Sequence, residues 1–190
     1  MAEQGRRYVA LDFGAESGRT IVGTIADDKL TVEPVHRYPN VPVRMGGTLY
    51  WDFPRMFGDL LDGMRKAAAD GPVHSVSVDT WGVDYGYLDA RGRLIGNPIH
   101  YRDTRHETMP EEAFKVIPRE ELYMATGIQF MSINTLFQML SEVKANDPIL
   151  AGADKFLMMP DLFNHFLCGV DVCEYTEATT GQIVDPWTRD

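Results

Sequence analysis

Residues 8–25 read YVALDFGAESGRTIVGTI, and the fold of the chain is decided by how this stretch is taken. Val9, Leu11 and Phe13 alternate with Tyr8, Ala10 and Asp12, the period of a strand with one apolar face. Gly14 and Gly18 then bracket Ala15, Glu16 and Ser17, and Arg19 opens a second apolar run through Ile21, Val22 and Ile25. Two strands joined by a glycine-bracketed turn are expected, with one carboxylate, Asp12, near the end of the first. Glycines without a Cβ let backbone N–H groups crowd around a ligand. Two familiar phosphate-binding patterns are excluded: there is no G-x-x-x-x-G-K-[ST], and the spacing is not G-x-G-x-x-G before a helix. What is left is a hairpin tip that could cradle phosphate with its amides and the Ser17 hydroxyl, with Asp12 placed to hold Mg²⁺ directly or through water. The alternative is an ordinary glycine-containing hairpin with a solvated Asp12.

Outward from this hairpin, Lys29 to His36 (KLTVEPVH) is expected as a third strand fed by the turn Asp27-Asp28, with Pro34 placing it at an edge. Residues 39–47 (PNVPVRMGG) are a loop by composition. A helix follows, with Asp52 as N-cap, Pro54 in its first turn and Phe53, Met56, Phe57, Leu60, Leu61 and Met64 as one apolar stripe; Asp70-Gly71-Pro72 ends it. His74 to Asp79 is a strand expected to join the first in parallel, and Val83 to Leu88 is another. Three antiparallel strands, a helix and a parallel strand make an α/β layered arrangement. Shorter helices are expected from Pro110, from Pro118 to Gly127, over Asn134–Val143 with Leu136, Phe137, Leu140 and Val143 on one face, and over Pro160–Leu167 ending at Gly169. No site is expected on these faces.

The composition bounds the function. With 190 residues, 44% of them hydrophobic, the chain can build a sizeable core. A formal net charge of −10, spread along the chain, excludes a basic nucleic-acid surface and speaks to solubility. Cys168 and Cys173 are the only cysteines, too few for a disulfide framework and expected as reduced thiols. MAEQGRR lacks an apolar signal core and no run approaches a membrane span, so a cytoplasmic protein without membrane or nucleic-acid partners is expected.

Three polar clusters could carry chemistry. Asp79-Thr80-Trp81-Gly82-Val83-Asp84 places two carboxylates, a hydroxyl, an indole and a bare backbone at a strand end, a set that suits a polyol with apolar C–H faces and hydroxyls; a buried Trp whose N–H meets a carboxylate is the structural alternative. His100 to His106 (HYRDTRH) could line a hydroxyl-rich pocket or be a solvated loop with an Arg–Asp pair. Glu174 to Gln182 (EYTEATTGQ) is a turn or a site-lining strand, too polar for a core strand. The thiols and histidines lack zinc-ligand spacing, and no G-x-S-x-G elbow is present.

In order along the chain, ALDFGAESGR (10–19), YWD (50–52), VDTWGVDYGYLD (78–89), YRDTR (101–105), GIQFMSINTLFQ (127–138), LMMPDLFNHFLCG (157–169) and EYTEATTGQIVD (174–185) resemble the N-terminal half of the FGGY carbohydrate kinases. Seven stretches in register are far more specific than one. The resemblance implies an actin-like, ribonuclease-H-like α/β domain with a mixed sheet, residues 1–190 forming the N-terminal domain of an enzyme that phosphorylates a ketose hydroxyl with Mg-ATP. By the same likeness Ala15, Glu16, Ser17, Gly18 and Arg19 form the nucleotide-phosphate loop, with Asp12 near Mg²⁺. Gly82 matches the residue that contacts the sugar, and Trp81 and Asp84 flank it. Glu16 stands where relatives often have Ser, an added carboxylate beside phosphates. Thr80-Trp81-Gly82 points to L-rhamnulose as the ketose, with fuculose, xylulose or glycerol kinases and a non-catalytic sugar-sensing relative as the alternatives. The family's catalytic base, an Asp, and its adenosine-binding residues lie in a C-terminal domain. No catalytic residue is therefore expected in this chain, which should be inactive alone.

Overall fold

Three consecutive antiparallel strands open the chain in the computed structural model, which describes residues 5–188. β1 (Arg6–Phe13), β2 (Ser17–Ala26) and β3 (Lys29–Pro39) are followed by the helix α1 (Phe53–Ala69) and by β6 (Ser75–Asp79), which runs parallel to β1. The sheet order is β3-β2-β1-β6, the mixed sheet expected from the sequence. Asp27 and Asp28 both take left-handed φ values, 49° and 58°, as the two central residues of a tight primed hairpin turn require. β3 runs past the expected His36 to Pro39. Its register jumps from Thr20↔His36 to Ile21↔Pro34, a bulge that takes up the proline on an edge strand.

One face of this sheet is buried beneath α1. Val9, Leu11 and Phe13 of β1 and Thr20 and Val22 of β2 meet Phe53, Met56, Leu60, Gly63 and Ala67 of the helix. Leu11 and Leu60 keep no exposed surface, each burial contributing roughly 1.5–3 kcal/mol of transfer free energy. The helix begins at Asp52, whose carboxylate accepts the Arg55 N–H at 3.3 Å. At its other end the Arg7 guanidinium donates to the carbonyls of Ala67 and Gly71, both at 2.8 Å, satisfying acceptors that a helix terminus leaves open. These elements form one compact unit, residues up to Val41 together with Asp52–Trp81.

The second unit comprises Pro42–Trp51 and residues from Gly82 onward. It holds two small antiparallel ladders, β4 (Val43–Met45) with β5 (Thr48–Tyr50) and β7 (Tyr85–Leu88) with β8 (Lys155–Met158). Around them lie a 3-10 turn (Thr104–His106) and six helices: α2 (Met109–Ala113), α3 (Arg119–Thr126), α4 (Thr135–Ala145), α5 (Ile149–Gly152), α6 (Met159–Cys168) and α7 (Tyr175–Thr180). Its core gathers Tyr85, Leu88, Phe137, Met158, Met159, Leu162 and Phe163. No helix among the described residues is long and apolar enough to cross a membrane.

Three expectations are corrected here. The strand expected from Val83 starts only at Tyr85, because Val83 sits at φ 71°, outside any strand geometry. The polar stretch 174–182, expected as a turn or strand, carries the helix α7 (Tyr175–Thr180), which Glu174 caps by accepting the Thr176 and Glu177 N–H groups at 3.1 and 2.9 Å. The buried face of α4 is Thr135, Phe137, Gln138, Ser141 and Glu142, while Val143 is exposed. The face is turned because the polar side chains find partners inside the unit, as described below.

Candidate functional site

In the first unit the β1–β2 turn is pinned from below. Gly14 N–H bonds the Ser17 carbonyl at 3.0 Å, and the buried Asn40 holds the remainder. Its backbone N–H donates to the Glu16 carbonyl at 2.9 Å and its side-chain amide to the Gly14 carbonyl at 2.6 Å. The turn residues proper are Gly14, Ala15 and Glu16, since Ser17, Gly18 and Arg19 already belong to β2. Neither bracketing glycine has a positive φ. Gly18 is needed for a different reason from that expected: a Cβ there would overlap the Tyr38 ring, which packs on Phe13 at 5.5 Å between centroids. Burial, and the charges of Asp59 and Asp12, push the Tyr38 phenol far above its ordinary pKa, so it stays protonated.

Asp12 lies on the sheet face away from α1. In register it stands between Arg19 on β2 and Asp79 on β6, so the three side chains share one face. Arg19 Nε meets Asp12 Oδ2 at 3.1 Å. Arg37 on β3 reaches the Ser17 hydroxyl at 3.4 Å, which brings a second guanidinium to the turn. Two cations and a hydroxyl fit an anionic phosphate chain, and two hard carboxylates fit Mg²⁺, which is commonly held by one or two carboxylates together with phosphate oxygens. Among the described residues no three His, Cys, Asp or Glu side chains form a ready-made metal cage. Glu16 is exposed and contributes its carbonyl to the Asn40 clamp.

In the second unit the Gly82-Val83-Asp84 segment is held by side chains from elsewhere in the chain. Asp84 has no exposed surface. Its Oδ2 accepts Trp51 Nε1 at 2.6 Å and the Tyr101 N–H at 3.2 Å, and its Oδ1 accepts Gln138 Nε2 at 3.0 Å. Trp51 is thus a buried Trp whose N–H meets a carboxylate of this stretch. Trp81, at the end of the first unit, is half-buried, and its carbonyl accepts the Thr80 hydroxyl at 2.9 Å. A Cβ on Gly82 would come within 2.9 Å of Thr180 Oγ1. Val83 is left-handed at φ 71°, an unusual state for a β-branched residue, with a cost on the order of 1–3 kcal/mol that the surroundings must offset.

The 100–106 cluster turns inward and supports this segment. His100 stacks on Trp51 at 3.9 Å between centroids. Asp103 accepts the Leu49 N–H at 2.8 Å and the Arg105 N–H at 3.0 Å. Arg105 reaches Gln138 Oε1 at 2.9 Å and Glu142 Oε1 at 3.4 Å, and Glu142 also accepts the Tyr85 and Tyr87 hydroxyls at 2.8 and 2.7 Å. Burial pushes the Glu142 carboxyl up against the opposing pull of those donors, and it pushes His100 and His106 down to about 4. In place of the solvated loop offered as one of two alternatives, His100, Asp103, Arg105 and His106 are therefore framework. The thiols of Cys168 and Cys173 are both free and exposed.

Residues 7–190 match the N-terminal domain of the FGGY family of carbohydrate kinases. The chain belongs to the FGGY family. Among curated relatives it is 40% identical over 185 residues to a rhamnulokinase of Bacteroides thetaiotaomicron and 39% identical over 183 residues to one of Oceanobacillus iheyensis, with 97% and 95% of this chain covered. It spans under two-fifths of the length of these relatives, 38% and 39%. Its fold is that of solved FGGY kinases. A ligand-bound xylulose kinase from Lactobacillus acidophilus superposes with a TM-score of 0.84 at 15% identity, covering 97% of this chain and 38% of that one. A gluconate kinase from the same organism gives 0.83 at 15% identity, covering 95% and 37%. The actin-like α/β fold expected from the FGGY resemblance is thus the one observed.

Sequence reasoning missed Asn40, Trp51, Thr135 and Gln138 as supports of the two candidate sites, and gave Asp79 and Thr180 no such role although it singles out their stretches. Asp79 carried a further signal, as the last residue of a strand expected to lie beside Asp12. The other five act through tertiary contacts between 24 and 97 positions apart, which no local pattern announces.

Proposed function

We propose that this chain is the N-terminal part of an ATP-dependent ketose kinase acting on L-rhamnulose in the cytoplasm. The observation that carries the reading is the match to rhamnulokinases at 35–40% identity across nearly all of the chain. Because this chain spans only part of those relatives, the proposal includes a C-terminal domain as its partner, contributing the carboxylate base and the adenosine contacts.

Within that reading Ala15, Glu16, Ser17, Gly18 and Arg19 receive the nucleotide phosphates and Asp12 takes the magnesium side. ATP, when bound with Mg²⁺, supplies the phosphoryl group and the cation that neutralises its charge. Arg19 and Arg37 offset negative charge at the turn, and the Asn40 clamp fixes the turn before a ligand arrives, which lowers the ordering cost of binding. Gly82 offers bare backbone to the sugar, with Trp81 beside it. Asp84 serves from behind: its carboxylate is spent on Trp51, Tyr101 and Gln138, so it holds the segment that meets the sugar.

A coupled ADP-release assay on the polypeptide that joins this chain to its C-terminal domain, across a ketose panel, tests the proposal. Turnover greatest with L-rhamnulose is expected, and the 190-residue chain alone should show none. Preference for fuculose, xylulose or glycerol would move the substrate assignment, and absence of ADP release with every sugar would end the kinase reading.

A further inference from the structure

Two threonines from separate helices converge on Val83, the one left-handed β-branched residue among the described residues of the second unit. Thr135, the first residue of α4, donates its hydroxyl to the Val83 carbonyl at 2.7 Å. Thr180, the last residue of α7, accepts the Val83 N–H on its hydroxyl oxygen at 3.3 Å while donating to the Glu177 carbonyl at 2.7 Å. Gln138, one turn along α4, adds Nε2 to the same Val83 carbonyl at 3.2 Å and to Asp84 Oδ1 at 3.0 Å. Both polar atoms of the Val83 peptide backbone are therefore held, one from each helix.

The two helices are also fixed against each other. Leu136 N–H donates to the Gly181 carbonyl at 3.0 Å, and a Cβ on Gly181 would come within 2.8 Å of Thr135 Oγ1. Gln182, left-handed at φ 63° and buried, accepts Asn134 Nδ2 at 2.9 Å. Gly82 in turn is shaped by Thr180, whose Oγ1, Cβ and Cγ2 lie 2.9, 3.2 and 3.3 Å from where its Cβ would stand. A left-handed valine persists only where its surroundings over-determine it, and such residues concentrate at ligand-binding positions.

We infer that Thr135 and Thr180 are positioning residues for the ketose: they clamp Val83 in its left-handed state and thereby set the backbone of Gly82 that meets the sugar. The inference rests on the sugar reading of Gly82 given above. A shared hydroxyl clamp is a specificity device, because a shift of the peptide at Gly82 moves the sugar contact while leaving the hairpin that receives the nucleotide untouched. Gln138 belongs to the same clamp but also holds Asp84 and Arg105, so its loss would be harder to interpret.

The test is steady-state kinetics of the polypeptide carrying this chain and its C-terminal domain, with Thr135→Val, Thr180→Val and Thr180→Ser. Valine preserves shape and removes the hydroxyl, whereas serine keeps it. Each valine variant should raise the KM for L-rhamnulose about tenfold, as expected for one buried hydrogen bond lost at a strained backbone, with the KM for ATP within about twofold of the parent. Thr180→Ser should restore the parental ketose KM. The inference is overturned if both valine variants keep the ketose KM unchanged, or if ketose and ATP KM rise together. It is equally overturned if neither valine variant folds, which would assign the hydroxyls to the fold itself. A parent chain inactive on every ketose would remove the sugar reading of Gly82 and this inference with it, an outcome distinct from an active parent with unaffected variants.

Discussion

Tyr38 lies across the backbone of Gly18, so close that a Cβ at residue 18 would fall within the phenol ring. The contact joins β3 to β2 at the point where β2 leaves the β1–β2 turn, in register Gly18↔Tyr38. Gly18→Ala should therefore destabilise the chain by about 2 kcal/mol, the scale of an overpacked core. Because the Tyr38 hydroxyl is buried with no hydrogen-bond partner, Tyr38→Phe should be neutral or stabilising. Chemical denaturation of both variants checks the pair. A neutral Gly18→Ala would show that the ring yields, and the glycine would then have to be explained by ligand approach.

The carboxylate of Asp84 satisfies three donors, the indole of Trp51, the Tyr101 amide and the Gln138 amide, inside a unit where it has no exposed surface. Asp84→Ala strands all three. A loss on the order of 3 kcal/mol or more is expected. Trp51→Phe removes one donor and part of the stack on His100, and should cost less, about 1–3 kcal/mol. Urea unfolding followed by circular dichroism orders the two. If Trp51→Phe proves the more costly, the stacking rather than the carboxylate organises this region.

Much of the first unit was legible because its signals are local. The alternation of Val9, Leu11 and Phe13, the Asp27-Asp28 turn, and Asp52 with Pro54 each state their structure within a few residues. The candidate sites were legible only as motifs. Gly18 was noticed because a missing Cβ lets a ligand approach the backbone, yet the space is taken by Tyr38, twenty residues away. On α4 the leucines mark an apolar stripe, but Gln138 and Glu142 turn inward because Asp84, Arg105, Tyr85 and Tyr87 wait there with matching hydrogen bonds. Satisfied polar groups can be buried, and hydropathy patterning cannot foresee the satisfaction.

The buried imidazoles give the second unit an acid-sensitive stability. Burial, reinforced by the Arg105 charge and partly opposed by Asp103, lowers His106 from 6.5 to about 4, and burial with Arg102 does the same for His100. Between pH 6.5 and about 4 the unfolded chain binds protons that the folded chain refuses, so this contribution is complete above 6.5 and is lost as pH falls through that window. Glu142 and Asp161, both shifted upward by burial, work in the opposite direction above the ordinary carboxylate range. A comparison of variants isolates the histidine part: His106→Gln should flatten the fall of stability between pH 6.5 and 4.5. Parallel stability curves for parent and variant would exclude His106 from the acid response.

Asp12 separates stability from chemistry most cleanly. Its ion pair with Arg19 spans two adjacent strands at 3.1 Å, with both side chains at least a third exposed, 34% and 46%. Exposed pairs of this kind contribute about 0–1 kcal/mol, screened further by salt. Asp12→Asn should then leave thermal unfolding almost unmoved. Proposed as the magnesium-side carboxylate, however, Asp12 meets a divalent cation whose charge no amide can balance. In the polypeptide that carries both domains, Asp12→Asn should lower kcat/KM for Mg-ATP by about a hundredfold or more, since positioning and charge stabilisation make up nearly all of phosphoryl-transfer catalysis. Asp79→Asn, one strand away on the same face, should have a smaller effect of the same sign. Raising Mg²⁺ should partly restore Asp79→Asn but not Asp12→Asn. If Asp12→Asn keeps parental turnover, the carboxylate belongs to the Arg19 pair alone and the magnesium side must be sought elsewhere.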